Sequence, residues 1–411
     1  MISFDRFELT NGLKVLVHKD ISTPIVAMNI LYNVGSKDEH PEHTGFAHLF
    51  EHLMFGGSKN ILKYDEPLQR VGGENNAFTN NDITNYYLSL PRQNIETAFW
   101  LESDRMLGLA FSEKSLKVQR DVVCEEFRQV YLNQPYGDVW LLLRPLAYKV
   151  HPYLWTTIGK NIEHIQNATM GHVKAFFKKF YLPNNAILTI AGNVETTEIE
   201  ALSKKWFEPI SRGDDYKRNL PEEPKQEIPR MLTVEREVPY HAIYKAYHMC
   251  ARNDNEFHTT DIISDLLSNG KSSRLHKELV KKQKLFIDIN AYISGDIDKG
   301  LFIITGRLVQ GVNMEKAENA INLELDKLIN LKVKDFELNK IKNKIEATMV
   351  FAEINILDKA MNMAYYEILG NASDMNKQIE LYNLVTSEKI CEQADIMFNK
   401  NNCSTLYYLA K

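Results

Sequence analysis

Apolar residues alternate with polar ones on both sides of Asn11-Gly12, with Phe7 and Leu9 before it and Leu13, Val15 and Val17 after it. Asn-Gly between two such runs predicts a β-hairpin, because both residues tolerate the positive φ of a tight turn. Ile25 to Val34 reads as a further strand, ended by Gly35. The spacing then changes. Phe46, Leu49, Phe50 and Leu53 repeat every three or four residues, which predicts a helix that stops before Gly56-Gly57. Tyr64 to Val71 predicts a short helix closed by Gly72-Gly73. The stretch from Asn75 to Tyr87 is polar yet rich in strand formers. It predicts an edge strand, either plainly exposed or open to another chain by backbone pairing. Helical patterns follow from Pro91 to Met106 and from Ser112 or Ser115 to Val130. A helix at Val173–Tyr181, a buried strand at Ala186–Ala191 and a helix at Thr197–Trp206 complete the first half.

Between Glu208 and Arg230 the periodicity disappears, and prolines stand at 209, 221, 224 and 229 among many charges, the mark of a linker. Beyond it the order of elements repeats. Strands are predicted at 231–238, 241–249, 285–294, 300–308 and 404–409, and helices at 256–267, 273–282, 315–331 and 335–356. The pattern is α+β: two homologous domains, each a mostly antiparallel sheet with helices packed on one side. The expected division is 1–212 and 231–411, joined by a linker at 213–230.

Composition narrows the classes. A chain of 411 residues with 44% hydrophobic content is an ordinary globular protein of two or more domains. A net charge of −5 with no basic run argues against nucleic acid and against an anionic membrane as partner. No stretch approaches the roughly 20 apolar residues of a membrane span. The first residues, Met1 to Asp5, carry no basic segment followed by an apolar one. The expected location is therefore cytoplasmic, or periplasmic if a leader has been removed. The four cysteines are far apart and read as core thiols of a reducing compartment.

The candidate chemistry lies in the helix predicted around Phe46. It reads His48-Leu49-Phe50-Glu51-His52, an inverted form of the commoner zinc-peptidase motif. In a helix His48 and His52 are one turn apart on one face, so both imidazoles can ligate one ion. Zinc lowers the pKa of bound water towards neutrality, and a carboxylate beside it, here Glu51, can take the proton. The alternative is a pair of surface histidines. In the later helix Val122, Val123, Phe127 and Val130 predict an apolar stripe that includes Glu126, with Glu125 on the polar side. A carboxylate turned inward needs a partner, either a basic residue or a metal already held by His48 and His52. Two histidines and one glutamate form a catalytic zinc set, with a fourth position for water.

These motifs together resemble the insulinase/pitrilysin family of zinc metallopeptidases, in its short two-domain branch that includes the mitochondrial processing peptidase subunits. The resemblance rests on Gly45 to His52, Gly72-Gly73 with Asn76-Ala77-Phe78-Thr79, Val122 to Glu126, His151-Pro152-Tyr153, and Pro183-Asn184-Asn185 with Ala191-Gly192-Asn193. It implies a zinc endopeptidase with His48, His52 and Glu126 as ligands and Glu51 as general base. Asn76, Ala77, Phe78 and Thr79 match the edge strand on which an unstructured peptide substrate is laid out. The position that in relatives holds a supporting glutamate is Gln119 here. The run that in many relatives contains an Arg and a Tyr reads Lys282-Gln283-Lys284-Leu285-Phe286-Ile287, with Gln283 and Ile287 at those positions. The resemblance therefore implies the zinc-bearing half of a two-chain peptidase, whose homologous partner supplies the Arg/Tyr pair. A stand-alone enzyme or homodimer is the variant, and a non-catalytic assembly subunit is the competing class.

Overall fold

The computed structural model describes residues 1–411, which form two compact units. The first contains residues 1–130, 155–220 and 350–376, and the second 131–154, 221–349 and 377–411.

The first unit is built on six strands: β1 (Asp5–Glu8), β2 (Lys14–Lys19), β3 (Ile25–Tyr32), β4 (Glu74–Thr79), β5 (Thr84–Pro91) and β6 (Ala186–Gly192). Their order in the sheet is β1-β2-β6-β3-β5-β4. The hairpin at Asn11-Gly12 pairs Asp5 with Val17, and Gly12 takes the turn at φ 87°. The second unit holds β7 (Arg230–Arg236), β8 (Ala242–His248), β9 (Phe286–Ile293), β10 (Leu301–Leu308) and β11 (Cys403–Ala410), in the order β7-β11-β8-β10-β9. Without β1, the first sheet reads β2-β6-β3-β5-β4, the same path taken by the same strands in chain order. Each sheet also has one parallel pair, β2 with β6 and β7 with β11, while the other pairs are antiparallel. The repeat seen in the order of elements is thus a repeat of topology.

The α+β class is as expected, and each sheet also carries a helix on its second face. In the first unit the helix Ile356–Ile368 packs Ala360, Met363 and Ala364 against Leu16, Ala27, Leu31 and Ile187 of β2, β3 and β6. Residues of the opposite parity, Val15, Val17, Met28 and Leu188, are buried as well, as a sheet covered on both faces requires. In the second unit the helix Val139–Ala147 covers Ala242, Ala246, Ile303 and Leu406, while Ile243, Phe302 and Ile304 face a larger helical core. The contiguous division at 212 and 231 is therefore corrected. The first half of the chain contributes residues 131–154 to the second unit, and the second half returns residues 350–376 to the first. The physical cause is an apolar sheet face that its own half leaves bare. Lys359 adds an ion pair to Asp20 at 2.7 Å, both side chains being largely buried. No helix is long and apolar enough to cross a membrane.

Candidate metal centre

The motif helix runs from Phe46 to Leu53 and buries Phe46, Ala47, Leu49, Phe50 and Leu53. That leaves His48, Glu51 and His52 half-buried on the remaining face. Phe50 packs its ring against Tyr181, centroids 4.6 Å apart and tilted by 34°, which fixes the rotation of the helix about its axis. Its entry is set by Gly45 at φ 87°, where a Cβ would lie 2.4 Å from the Ile158 carbonyl oxygen. Only glycine fits there. Two N–H groups at this helix start are taken by one buried carboxylate: Glu39 Oε2 accepts from Gly45 N at 2.8 Å and Oε1 from Ala47 N at 2.7 Å. Burial holds Glu39 well above the usual carboxylate range, and the two N–H donors pull the other way.

Glu126 comes from a second helix, Glu113–Phe127, capped by Ser112 accepting from Ser115 N. The expected stripe on this helix is out of phase. Leu116, Val123, Cys124 and Phe127 are buried, whereas Val122 and Val130 are 45% and 40% exposed. Glu126 lies about 60° round from Val123, at the border of the buried face rather than inside it. Glu125 is exposed and pairs with Arg128, as its place on the polar side predicted.

The structure brings His48, His52 and Glu126 together: one ligand atom from each lies within 4.8 Å of the others. Glu126 Oε2 is 3.4 Å from His52 Nε2 and 3.8 Å from His48 Nε2. Donors bound tetrahedrally at zinc distances stand about 3.3 Å apart, so the three fit a zinc ion with only small adjustment. Burial lowers the pKa of His48 to about 4, which leaves it neutral, the ligating form. The hydrogen bond from His52 holds the Glu126 carboxyl below its ordinary range. Burial raises the Glu51 carboxyl, opposed by the Thr79 hydroxyl, which donates to Glu51 Oε2 at 2.6 Å. That bond ties the centre to the sheet edge. β4 is the outermost strand, with Glu74, Asn76 and Phe78 exposed and Asn75, Ala77 and Thr79 half-buried. Asn76 folds its amide oxygen onto Ala77 N–H at 2.8 Å.

His48 Nδ1 is buried with no hydrogen-bond partner. Gln283 and Ile287 lie in the second unit. Gln283 follows a wide helical turn at His276–Lys282 and donates to Glu278, and Ile287 sits on β9 with 41% exposure. Lys282 is engaged by Glu278 at 2.8 Å. Glu39 was not anticipated. Its only signal is an acidic residue upstream of a glycine that opens a helix.

Two family models match: "Insulinase (Peptidase family M16)" over residues 14–145 and "Peptidase M16 inactive domain" over residues 167–345. The chain is 33% identical over 340 residues to the zinc protease PqqE of Helicobacter pylori, covering 81% of this chain and 76% of that one. It is 24% identical over 215 residues to the mitochondrial-processing peptidase subunit beta of Caenorhabditis elegans, covering 52% and 46%. The crystal structure of a protease from Helicobacter pylori superposes with a TM-score of 0.93 at 28% identity, over 99% of this chain and 100% of that one.

Proposed function

The chain belongs to the insulinase family, peptidase family M16, and from that premise we propose that it is a zinc-dependent endopeptidase acting on unstructured peptides, with His48, His52 and Glu126 holding the metal. The observation that carries this is the approach of Glu126 to both imidazoles from a separate helix. Zinc, when bound there, supplies a Lewis acid that activates water and balances the oxyanion formed during hydrolysis. The residues of the chain do the rest. Glu51, raised by burial, takes a proton from the attacking water and returns it to the leaving amine. Thr79 orients Glu51. A substrate strand added beside β4 displaces the Asn76 amide from Ala77 N–H and puts its own backbone there. In that role Asn76 guards the edge while it is vacant.

We further propose that activity needs a homologous partner chain. Gln283 and Ile287 stand where many relatives carry an Arg/Tyr pair, and neither can polarise a carbonyl as that pair does. A homodimer supplies no replacement, since both copies lack the pair. The decisive experiment compares wild type with Glu51→Gln, each assayed alone and with an added homologous chain carrying the Arg/Tyr pair. Zinc content by mass spectrometry should be equal. Hydrolysis should fall at least about a hundredfold, the scale of a lost general base. Retention of a tenth of the activity would overturn the role of Glu51. A zinc content near zero in carefully purified wild type would favour the competing reading, a non-catalytic assembly subunit.

A further inference from the structure

Four of the twelve histidines lie in the first unit near the start of the motif helix: His40 and His43 just ahead of it in the chain, and His164 and His172 brought to them from later helices. His164 is engaged, its Nδ1 bonded to Thr44 N and Thr44 Oγ1. The rings of the other three lie against one another through His43. His40 and His43 are joined by a backbone turn, His43 N donating to His40 O at 2.8 Å. His172 comes from the first turn of the helix Met170–Phe180. The ring centroids of His43 and His172 are 4.5 Å apart, and those of His40 and His43 are 5.8 Å apart. Two imidazoles on one tetrahedral ion have centroids about 5 Å apart, given zinc–nitrogen bonds near 2 Å. The His48–His52 pair in the same molecule stands at 4.8 Å, so the two spacings of the cluster bracket that of the candidate zinc pair. Moreover, His43 Nδ1 is buried and has no hydrogen-bond partner. A nitrogen in that state has lost its water and gained nothing. Phe46 stacks on the His43 ring at 6.0 Å and holds it in place.

We propose that His40, His43 and His172 form a second site for a divalent ion of the zinc–nickel class, separate from His48, His52 and Glu126. Three imidazoles suit such ions. Their nitrogens are not yet converged as those of the first centre are. His40 and His172 are exposed, so their rings have room to turn towards His43. His40 then gives up a long contact, 3.3 Å, between its Nδ1 and Glu42 N–H. Burial and the two neighbouring imidazoles keep His43 neutral, in the ligating form. A metal here ties the turn before the motif helix to the helix Met170–Phe180.

The test is zinc binding by equilibrium dialysis on the metal-depleted full chain. Wild type should bind two equivalents. His40→Ala and His172→Ala, both at exposed positions, should each weaken one equivalent at least about tenfold and leave the other intact. Glu126→Ala should do the reverse, which separates failure of this site from failure of the first. The second equivalent should also raise the melting temperature of wild type and not that of His172→Ala. A single equivalent in wild type that Glu126→Ala weakens and the histidine variants spare, or a second one indifferent to both histidine variants, would overturn the proposal.

Discussion

Glu126 reaches the two histidines from a helix face that its apolar neighbours only partly share. Val122 and Val130, one turn to either side, point to water. Burial of an apolar stripe therefore does not account for its position beside the imidazoles. Replacing it with alanine should weaken zinc by at least about a hundredfold, since lost outer-shell support alone costs ten- to a hundredfold. Glu125→Ala should leave metal content unchanged, because Glu125 bonds only with exposed Arg128. Metal analysis of the two variants is the check. At this scale the sequence was informative where geometry is local. His48, Glu51 and His52 sit within one helical turn and a half, so spacing alone groups them. Glu126 was reached through a stripe drawn at steps of four, whereas the helix repeats at 3.6, and over Leu116 to Phe127 that difference moves the buried face. Glu39 was illegible, because its bonds to Gly45 and Ala47 depend on how an irregular loop folds back.

The motif helix is short, so its ends matter more than its length. Glu39 occupies two of its starting N–H groups. Glu39→Ala leaves them buried without acceptors and should cost about 1–3 kcal/mol, with Glu39→Gln, which keeps one acceptor, milder. Chemical denaturation of the two variants would show the order. The covering helix Ile356–Ile368 offers a second test. The Asp20 carboxyl is held far below its ordinary range, first by its hydrogen bond with Lys359 and then by Ser22. A depressed carboxyl contributes stability above its unfolded pKa of about 3.9, and that stability is lost as pH falls towards the folded value. Lys359→Met should therefore melt below wild type at pH 7, and the gap should shrink as pH drops from about 5 to 2. Most strands and helices were read from the sequence close to their true limits, because each alternates or repeats within itself. The stretch from Asn75 to Tyr87, read as one edge strand, is instead a hairpin in which only β4 is at the edge and β5 (Thr84–Pro91) lies inside the sheet. The second-face helices were not placed. Nothing in the apolar stripe of Ala360, Met363 and Ala364 states which sheet it will cover.

For the whole molecule, the proposed partner has a direct consequence. The chain alone, loaded with zinc, should hydrolyse unstructured peptides at least about a hundredfold more slowly than in the presence of a homologous chain carrying the Arg/Tyr pair, the usual loss when a carbonyl-polarising donor is missing. Robust turnover by the lone chain would dismiss the two-chain arrangement. The duplication was legible as a repeated order of elements, and apart from β1 the two sheets carry it strand for strand.

The return of residues 350–376 to the first unit also bears on how the protein is made. Synthesis proceeds at about 5–20 residues per second. Once Leu220 has left the ribosome, roughly 150 further residues must be made before the helix Ile356–Ile368 can emerge. During that interval, on the order of ten to thirty seconds, Ala27, Leu31 and Ile187 are an uncovered apolar sheet face. The nascent first half is a natural client for a holding chaperone. A polypeptide ended at residue 212 should remain in that state, prone to aggregate however well its zinc motif is preserved.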